Sequence, residues 1–137
     1  MKNLSRILFI TTILAIFYFS SQTGLVSKAQ STDFRNFLGI NYKVWGMNVR
    51  KWAHVTIYFL LGFFFIFSLG KLAFKKFILS FFFILAFGFF DELYQSKIPG
   101  RIYTLKDVRI DFYGGSAGIF LASILKKVFY LIKKRLS

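Results

Sequence analysis

The sequence predicts an all-α, polytopic membrane protein: a bundle of four transmembrane helices with a polar cluster at one membrane face. Two observations support this fold class. First, 56% of the 137 residues are hydrophobic and 21 are Phe, which exceeds the apolar share of soluble domains, and the apolar residues fall into four long runs. Second, four of the five acidic residues flank or end the last two runs. The length favours a single domain, residues 1–137.

Composition also excludes several kinds of site. The chain has no Cys, which excludes disulfides, thiolate metal sites and cysteine nucleophiles. His54 is the single histidine, so a mechanism that needs two histidines in one chain is excluded. The net charge of +14 comes from basic residues beside the apolar runs, which suits anionic lipid headgroups and topology signals better than nucleic acid.

The first predicted helix covers residues 6–21. Its apolar core is short and is preceded by Lys2 and Arg6, and Ser27-x-Ala29 follows, so the segment also resembles a signal peptide. Lys28 inside the cleavage motif favours the alternative, a helix that is retained in the membrane.

The next segment, residues 23–49, is predicted to be a loop on the membrane surface. It alternates polar residues with Phe34, Phe37, Leu38, Ile40 and Trp45. Within it, Asp33 is placed to cap a short interfacial helix over residues 34–38. A lid over the polar cluster is the alternative interpretation.

Three more helices are predicted over residues 52–69, 72–95 and 107–132. A hydrocarbon core of about 30 Å needs roughly 20 helical residues, and the third apolar run is shorter than that. It reaches full length either by recruiting residues 72–74, with Lys75 and Lys76 snorkelling, or by continuing through Asp91 to Gln95. The fourth helix passes Lys126 and Lys127.

Orientation depends on Lys and Arg. The two membrane faces receive ten and nine of the 19 basic residues, so the raw count barely decides. The short second loop holds three lysines, which favours cytoplasmic N- and C-termini and an extracytoplasmic polar cluster in a bacterial cytoplasmic membrane.

Four alternating helices bring four polar segments to one face whatever the orientation. Arg50, His54 and Tyr58 are spaced i, i+4, i+8, and Asp107 and Asp111 are spaced i, i+4, so each set forms one stripe. Ionisable residues at membrane depth usually face the bundle interior in pairs. A purely structural role as packing contacts is the alternative. The predicted ligand-binding residues are Ser21, Gln22, Arg50, Lys51, His54, Asp91, Glu92, Gln95, Arg101, Asp107 and Asp111.

Two glycine motifs complete this region. Pro99-Gly100 predicts a tight turn that returns Arg101 over the cluster. Gly114-x-x-x-Gly118 predicts close helix packing. The Gly-Ser-x-Gly sequence around Ser116 does not indicate an intramembrane serine protease, because Ser116 lies more than one turn below Asp111.

The catalytic residues, if there are any, are unknown; the candidates are His54, Asp91 and Glu92. No cofactor is certain, although Mg²⁺ suits carboxylates, and its candidate ligands are Asp91, Glu92, Asp107 and Asp111. Asp107-x-x-x-Asp111 resembles half of the metal-binding helix of lipid phosphotransferases, but the partner DxxD helix is missing. Phosphatases of the phosphatidic-acid type need two histidines, and this chain has one.

Five motifs in order resemble the VanZ-like family, over nearly the whole chain. They are Phe19-Ser20-Ser21-Gln22, Arg50-Lys51-x-x-His54 with Tyr58, Asp91-Glu92-x-x-Gln95, Pro99-Gly100-Arg101, and Asp107-x-x-x-Asp111 with Gly114 and Gly118. The resemblance implies a small membrane protein of the bacterial cell envelope. Because the founding member is linked to resistance to the antibiotic teicoplanin, it also implies a Gram-positive setting. It names no reaction.

Three functions follow as hypotheses. The first is a protein that binds membrane lipids, in particular an anionic lipid-linked cell-wall precursor or teichoic-acid component, and modulates teicoplanin susceptibility. The second is a membrane enzyme acting on a lipid phosphate or lipid-linked sugar, with His54 as acid or base and a carboxylate-bound metal. The third is an ion-coupled transporter fragment. Nucleic acid is not an expected partner, and the oligomeric state is open.

Overall fold

The computed structural model describes residues 2–39, 48–71 and 73–136. Within these ranges the chain forms helices and no strand, which confirms the all-α prediction. The helices are α1 (Lys2–Ser20), α2 (Gly24–Phe37), α3 (Val49–Ser68), α4 (Phe74–Gln95) and α5 (Leu105–Leu136). All except α2 are long and apolar enough to cross a membrane, so the chain is a multi-pass membrane protein.

The centre of the bundle is the contact between α3 and α5. A Cβ atom on Gly114 would lie 2.5 Å from the carbonyl oxygen of Val55, and one on Gly118 would lie 2.1 Å from that of Phe59. From the other side, a Cβ on Gly62 would lie 2.2 Å from the carbonyl oxygen of Gly115. The two backbones therefore touch, as small residues permit in membrane helices.

Aromatic rings join α1 and α4 to this centre. The rings of Phe65 on α3 and Phe83 on α4 stack with centroids 4.5 Å apart, and Phe9 on α1 contacts both. On the opposite side of α4, Phe77 and Phe81 pack against Phe120 of α5. Such aromatic contacts add specific geometry to the buried area.

Polarity is distributed in the opposite way to a soluble domain. Large apolar side chains lie exposed around the bundle, for example Leu14, Phe82 and Phe120, where lipid replaces water. Polar side chains are buried instead, most of them near one end of the bundle. This group comprises Ser20, Asp91, Glu92, Gln95, Arg101 and Asp111.

The helix boundaries differ from the predicted ones for local reasons. α3 begins at Val49, three residues early, because the side chain of Asn48 accepts a hydrogen bond from the Lys51 amide at 3.1 Å, a normal N-cap. α5 begins at Leu105 because Thr104 Oγ1 accepts the Asp107 amide at 3.1 Å. α4 begins at Phe74, so it includes Lys75 and Lys76, and it also continues through Asp91 to Gln95. It therefore combines parts of both alternatives; residue 72 lies outside the described residues.

The surface segment is more helical than predicted. α2 begins at Gly24 and is capped by Thr23, whose Oγ1 accepts the Val26 amide at 3.4 Å. Asp33 lies inside this helix, so the prediction that Asp33 caps a helix over residues 34–38 is wrong. The predicted loop residues Ile40 and Trp45 lie outside the described residues.

The two ends of the bundle are secured differently. At the polar end Gly100 has a φ of +77° after Pro99, and the Gly24 amide donates to the Pro99 carbonyl oxygen at 2.9 Å. The α1–α2 junction is thereby attached to the α4–α5 turn. At the other end Lys126 Nζ donates to the carbonyl oxygen of Ile66 at 2.7 Å and to that of Leu69, where the last carbonyls of α3 need donors.

Candidate functional site

Asp91 joins α3 to α4 in the interior of the polar end. Its Oδ2 accepts a hydrogen bond from Tyr58 Oη at 3.1 Å and another from Gln95 Nε2 at 2.8 Å. Gln95 Nε2 also lies 3.3 Å from Ser20 Oγ on α1. Buried polar groups need such partners, and this chain of bonds connects three helices.

His54 and Asp111 form a second link, between α3 and α5. His54 Nδ1 lies 3.0 Å from Asp111 Oδ1, and the Asp111 side chain is fully buried. A carboxylate on one ring nitrogen orients the imidazole and selects its tautomer. His54 Nε2 is then left for other partners.

Arg101 reaches back from the α4–α5 turn to the end of α1. Its Nη1 donates to Gln95 Oε1 at 2.6 Å, its Nη2 to the Phe19 carbonyl oxygen at 2.9 Å and its Nε to the Gln22 carbonyl oxygen at 3.2 Å. Burial, together with the neighbouring Arg50, lowers the pKa of Arg101 from its ordinary value, yet a guanidinium stays protonated at neutral pH.

This geometry changes the role predicted for Arg101. The sequence predicted that Arg101 binds a ligand, but all three of its guanidinium nitrogens donate to protein oxygens. Phe19 and Gln22 supply carbonyl oxygens at and just after the C-terminus of α1, where unpaired carbonyls collect. Arg101 therefore ties the polar end of the bundle together.

Lys51 and Asp107 form the outer rim. Lys51 Nζ lies 3.7 Å from Asp107 Oδ1, and their side chains are 37% and 19% exposed, so this pair is worth little. Deeper in the site, the Thr104 amide lies 3.5 Å from Glu92 Oε2. Glu92 itself is almost wholly buried.

Two cavities open at this end. A polar one of about 250 Å³ lies over the α4–α5 turn and the start of α3, and Lys51, Thr104 and Asp107 line it. A larger one of about 680 Å³ lies between α1, α2 and α3. Arg50, His54 and Arg101 line both cavities, so the two spaces are neighbours.

The family relationship follows from a comparison of the whole chain. A family model described as VanZ/LLP1 matches residues 6–126. The chain belongs to the VanZ/LLP1 family. No curated protein and no solved structure matches the chain.

The VanZ/LLP1 match includes every residue predicted for the site and ends at Lys126, before the basic tail. It confirms the predicted VanZ-like membership. Within the matched range the structure gathers Gln22, Arg50, Lys51, His54, Asp91, Glu92, Gln95, Arg101, Asp107 and Asp111 at one end of the bundle.

Ser21 is the exception among the predicted residues of this VanZ/LLP1 protein. It is exposed, and its Oγ donates to the Tyr18 carbonyl oxygen at 2.8 Å. Its neighbour Ser20 faces the site instead and meets Gln95. The signal for Ser20 was the spacing of four residues from Ile16, which places both on one face of α1.

The metal-ligating groups also differ from the predicted set. His54, Glu92 and Asp111 each offer one ligand atom, and these atoms lie within 4.8 Å of one another. The sequence proposed Asp91, Glu92, Asp107 and Asp111. Asp91 is outside the group of three; its Oδ2 accepts from Tyr58 and Gln95 and its Oδ1 is buried without a partner among the described residues. Asp107 faces Lys51 at the rim.

Proposed function

We propose that this VanZ/LLP1 protein binds an anionic lipid of the bacterial envelope, a lipid-linked cell-wall or teichoic-acid component, and thereby modulates susceptibility to teicoplanin. The supporting observation is the pair of neighbouring cavities, one polar and one apolar, lined in common by Arg50, His54 and Arg101. An amphiphile needs both environments side by side.

The larger cavity suits the hydrocarbon part of such a ligand. Its volume of about 680 Å³ falls in the usual range of roughly 300–1,000 Å³ for small-molecule sites. Apolar side chains from three helices form its wall. They include Ile16, Phe34, Leu38, Ile57 and Leu60.

The polar cavity suits a phosphate. Arg50 and Lys51 stand at its wall, and within the described residues Arg50 makes no hydrogen bond or ion pair to another side chain. An arginine without a fixed partner can bind phosphate through two parallel hydrogen bonds. We therefore assign phosphate binding to Arg50, with Lys51 beside it.

The proposed location completes the hypothesis. With the lysine-rich end of the bundle in the cytoplasm, the cavities open on the outer face of the cytoplasmic membrane, where wall precursors and lipoglycopeptides meet. Sequestering or presenting a wall lipid there would alter the target of teicoplanin without any change to the drug.

Binding to defined lipids tests this proposal directly. Purified full-length protein in detergent is offered polyprenyl phosphate or the matching polyprenol, and retention is measured by native mass spectrometry. We expect preference for the phosphate and about tenfold weaker binding in Arg50→Gln, the loss of one charged contact worth ~1.4 kcal/mol. Lys97→Gln, an exposed basic residue of the same face, should bind like wild type. Equal retention of alcohol and phosphate would refute the proposal.

The cellular test uses teicoplanin susceptibility in a Gram-positive host at equal membrane levels of each variant. We expect protection by the wild type and loss of protection in Asp91→Asn and His54→Ala. If the variants protect as well as the wild type, the polar end serves folding alone. If the wild type gives no protection, the link to teicoplanin fails for this chain.

A membrane enzyme is the second candidate, and the His54–Asp111 pair favours it. A histidine oriented by a carboxylate, with its other nitrogen beside a ligand cavity, is a common general base. Incubation with polyprenyl diphosphate should then release inorganic phosphate over many turnovers, and His54→Gln should abolish release. Retention of intact lipid without release supports a binding protein.

A further inference from the structure

We infer that His54, Glu92 and Asp111 form a binding site for one divalent transition-metal ion of the zinc and manganese class. The three side chains come from α3, α4 and α5, and their ligand atoms lie within 4.8 Å of one another. The ligands of a tetrahedral zinc ion are about 3.4 Å apart when each bond is about 2.1 Å. Rotation of the side chains would have to shorten the largest separation by about 1.4 Å to reach that spacing.

Two buried oxygen atoms point to a missing ligand. Glu92 Oε1 and Asp111 Oδ2 are buried and have no hydrogen-bond partner among the described residues, and the two residues are 1% and 0% exposed. Buried carboxylate oxygens without partners are costly. A cation between them would satisfy both at once.

The local charge supports the same conclusion. Asp91 adds a third buried carboxyl group beside Glu92 and Asp111, whereas His54 is the one basic side chain that bonds directly to any of these three in the described chain. Arg101 is held by neutral oxygens instead. Buried carboxylates are normally paired or coordinated to a metal, and a divalent ion would compensate two of them.

The donor set indicates which ion. Magnesium prefers oxygen ligands and keeps several waters, so it fits an imidazole ligand poorly. One imidazole nitrogen with two carboxylates suits zinc or manganese. Three protein ligands leave a position open, and His54 lines both cavities, so that position would adjoin the proposed lipid site.

Metal content of the purified full-length protein tests the inference. Protein in detergent is stripped with EDTA, reloaded separately with Zn²⁺, Mn²⁺ or Mg²⁺, freed of excess ion by gel filtration, and analysed by inductively coupled plasma mass spectrometry. We expect about one zinc or manganese ion per chain and almost no magnesium, as a three-ligand site of this composition requires. The absence of bound zinc and manganese would overturn the inference.

Variants locate the ion. Glu92→Gln and Asp111→Asn should each reduce zinc affinity at least tenfold, since each removes an anionic ligand. Asp33→Asn changes an exposed acid on α2 and should retain full zinc. Asp107→Asn should retain it as well; loss of zinc in Asp107→Asn with retention in Glu92→Gln would assign the ion to other carboxylates and overturn the site.

A readout on the wild type guards against variants that do not fold. X-ray absorption at the zinc edge should show one imidazole and oxygen ligands, and scattering without imidazole would contradict the assignment of His54. Lipid retention by the EDTA-treated protein is measured in parallel. The metal site and the proposed lipid binding can therefore fail independently.

Discussion

At the residue scale, the chemistry of the polar end depends on which acceptors each donor finds. Asp91 and Gln95 face Tyr58, Ser20 and Arg101, and they form one continuous network across four segments. A partly satisfied buried network is costly. Beside this network, Asp91 Oδ1, Glu92 Oε1 and Asp111 Oδ2 are buried and have no hydrogen-bond partner among the described residues.

Arg101→Lys provides a test of the network. A lysine has one nitrogen and cannot reach Gln95, Phe19 and Gln22 together, so we expect a loss of about 3 kcal/mol of unfolding free energy, the scale of one or two charged hydrogen bonds. Unfolding in mixed detergent and SDS, followed by circular dichroism, measures it. Within the described residues Arg50 makes no such contacts, so Arg50→Lys should stay within about 0.5 kcal/mol of wild type. Equal stability of both variants would show that the hydrogen bonds of Arg101 do not stabilise the polar end of the bundle.

The sequence predicted that Arg101 lies in the polar cluster. It did not predict which groups Arg101 contacts. Two of its three acceptors are backbone carbonyl oxygens, of Phe19 and Gln22, and every residue has one, so no side-chain pattern identifies them. The sequence also left open which carboxylate pairs with His54. Asp107 and Asp111 lie on one stripe of α5, and the side-by-side arrangement of α3 and α5 decided that His54 meets Asp111 and Lys51 meets Asp107.

At the element scale, α3 and α5 form the rigid centre of the bundle. Both begin at the polar end, and Gly62, Gly114, Gly115 and Gly118 allow their backbones to touch. The spacing of Gly114 and Gly118 had predicted close helix packing. The extent of α2 was not predicted, because its polar composition resembles that of a loop and only the Thr23 cap marks its start.

Gly118→Ala should separate these two helices. The added methyl group would lie 2.1 Å from the Phe59 carbonyl oxygen, and backbone cannot give way as a side chain does. We expect a loss of about 1–3 kcal/mol of unfolding free energy, as for other overpacked interiors. Gly88→Ala is the matched control, since its methyl group would find Asp111 Cβ at an ordinary 3.4 Å. A Gly118→Ala protein as stable as the control would show that the helices can part without cost.

At the scale of the whole molecule, alternation of four helices was enough to predict that the polar segments meet at one end. That prediction needed no contact information, since each crossing reverses the chain direction. The membrane orientation is a separate matter, because the basic residues divide ten to nine between the faces and local density of charge has to decide.

The orientation can be measured on a clean background, because the chain has no Cys. Lys97→Cys lies at the polar end and Lys133→Cys near the end of α5, and both positions are exposed. In intact cells a membrane-impermeant maleimide should label Lys97→Cys and spare Lys133→Cys, as the charge distribution predicts. Labelling of Lys133→Cys alone would show that the orientation is reversed and that the cavities open toward the cytoplasm.

The bond from Arg101 to the end of α1 has a consequence for biosynthesis. The acceptors Phe19 and Gln22 are made first, and the donor follows 79 residues after Gln22. During that interval the exposed carbonyls of α1 have no arginine. A chain that stops before residue 101 therefore lacks the donor for these two carbonyl oxygens, and completion of the final hairpin supplies it.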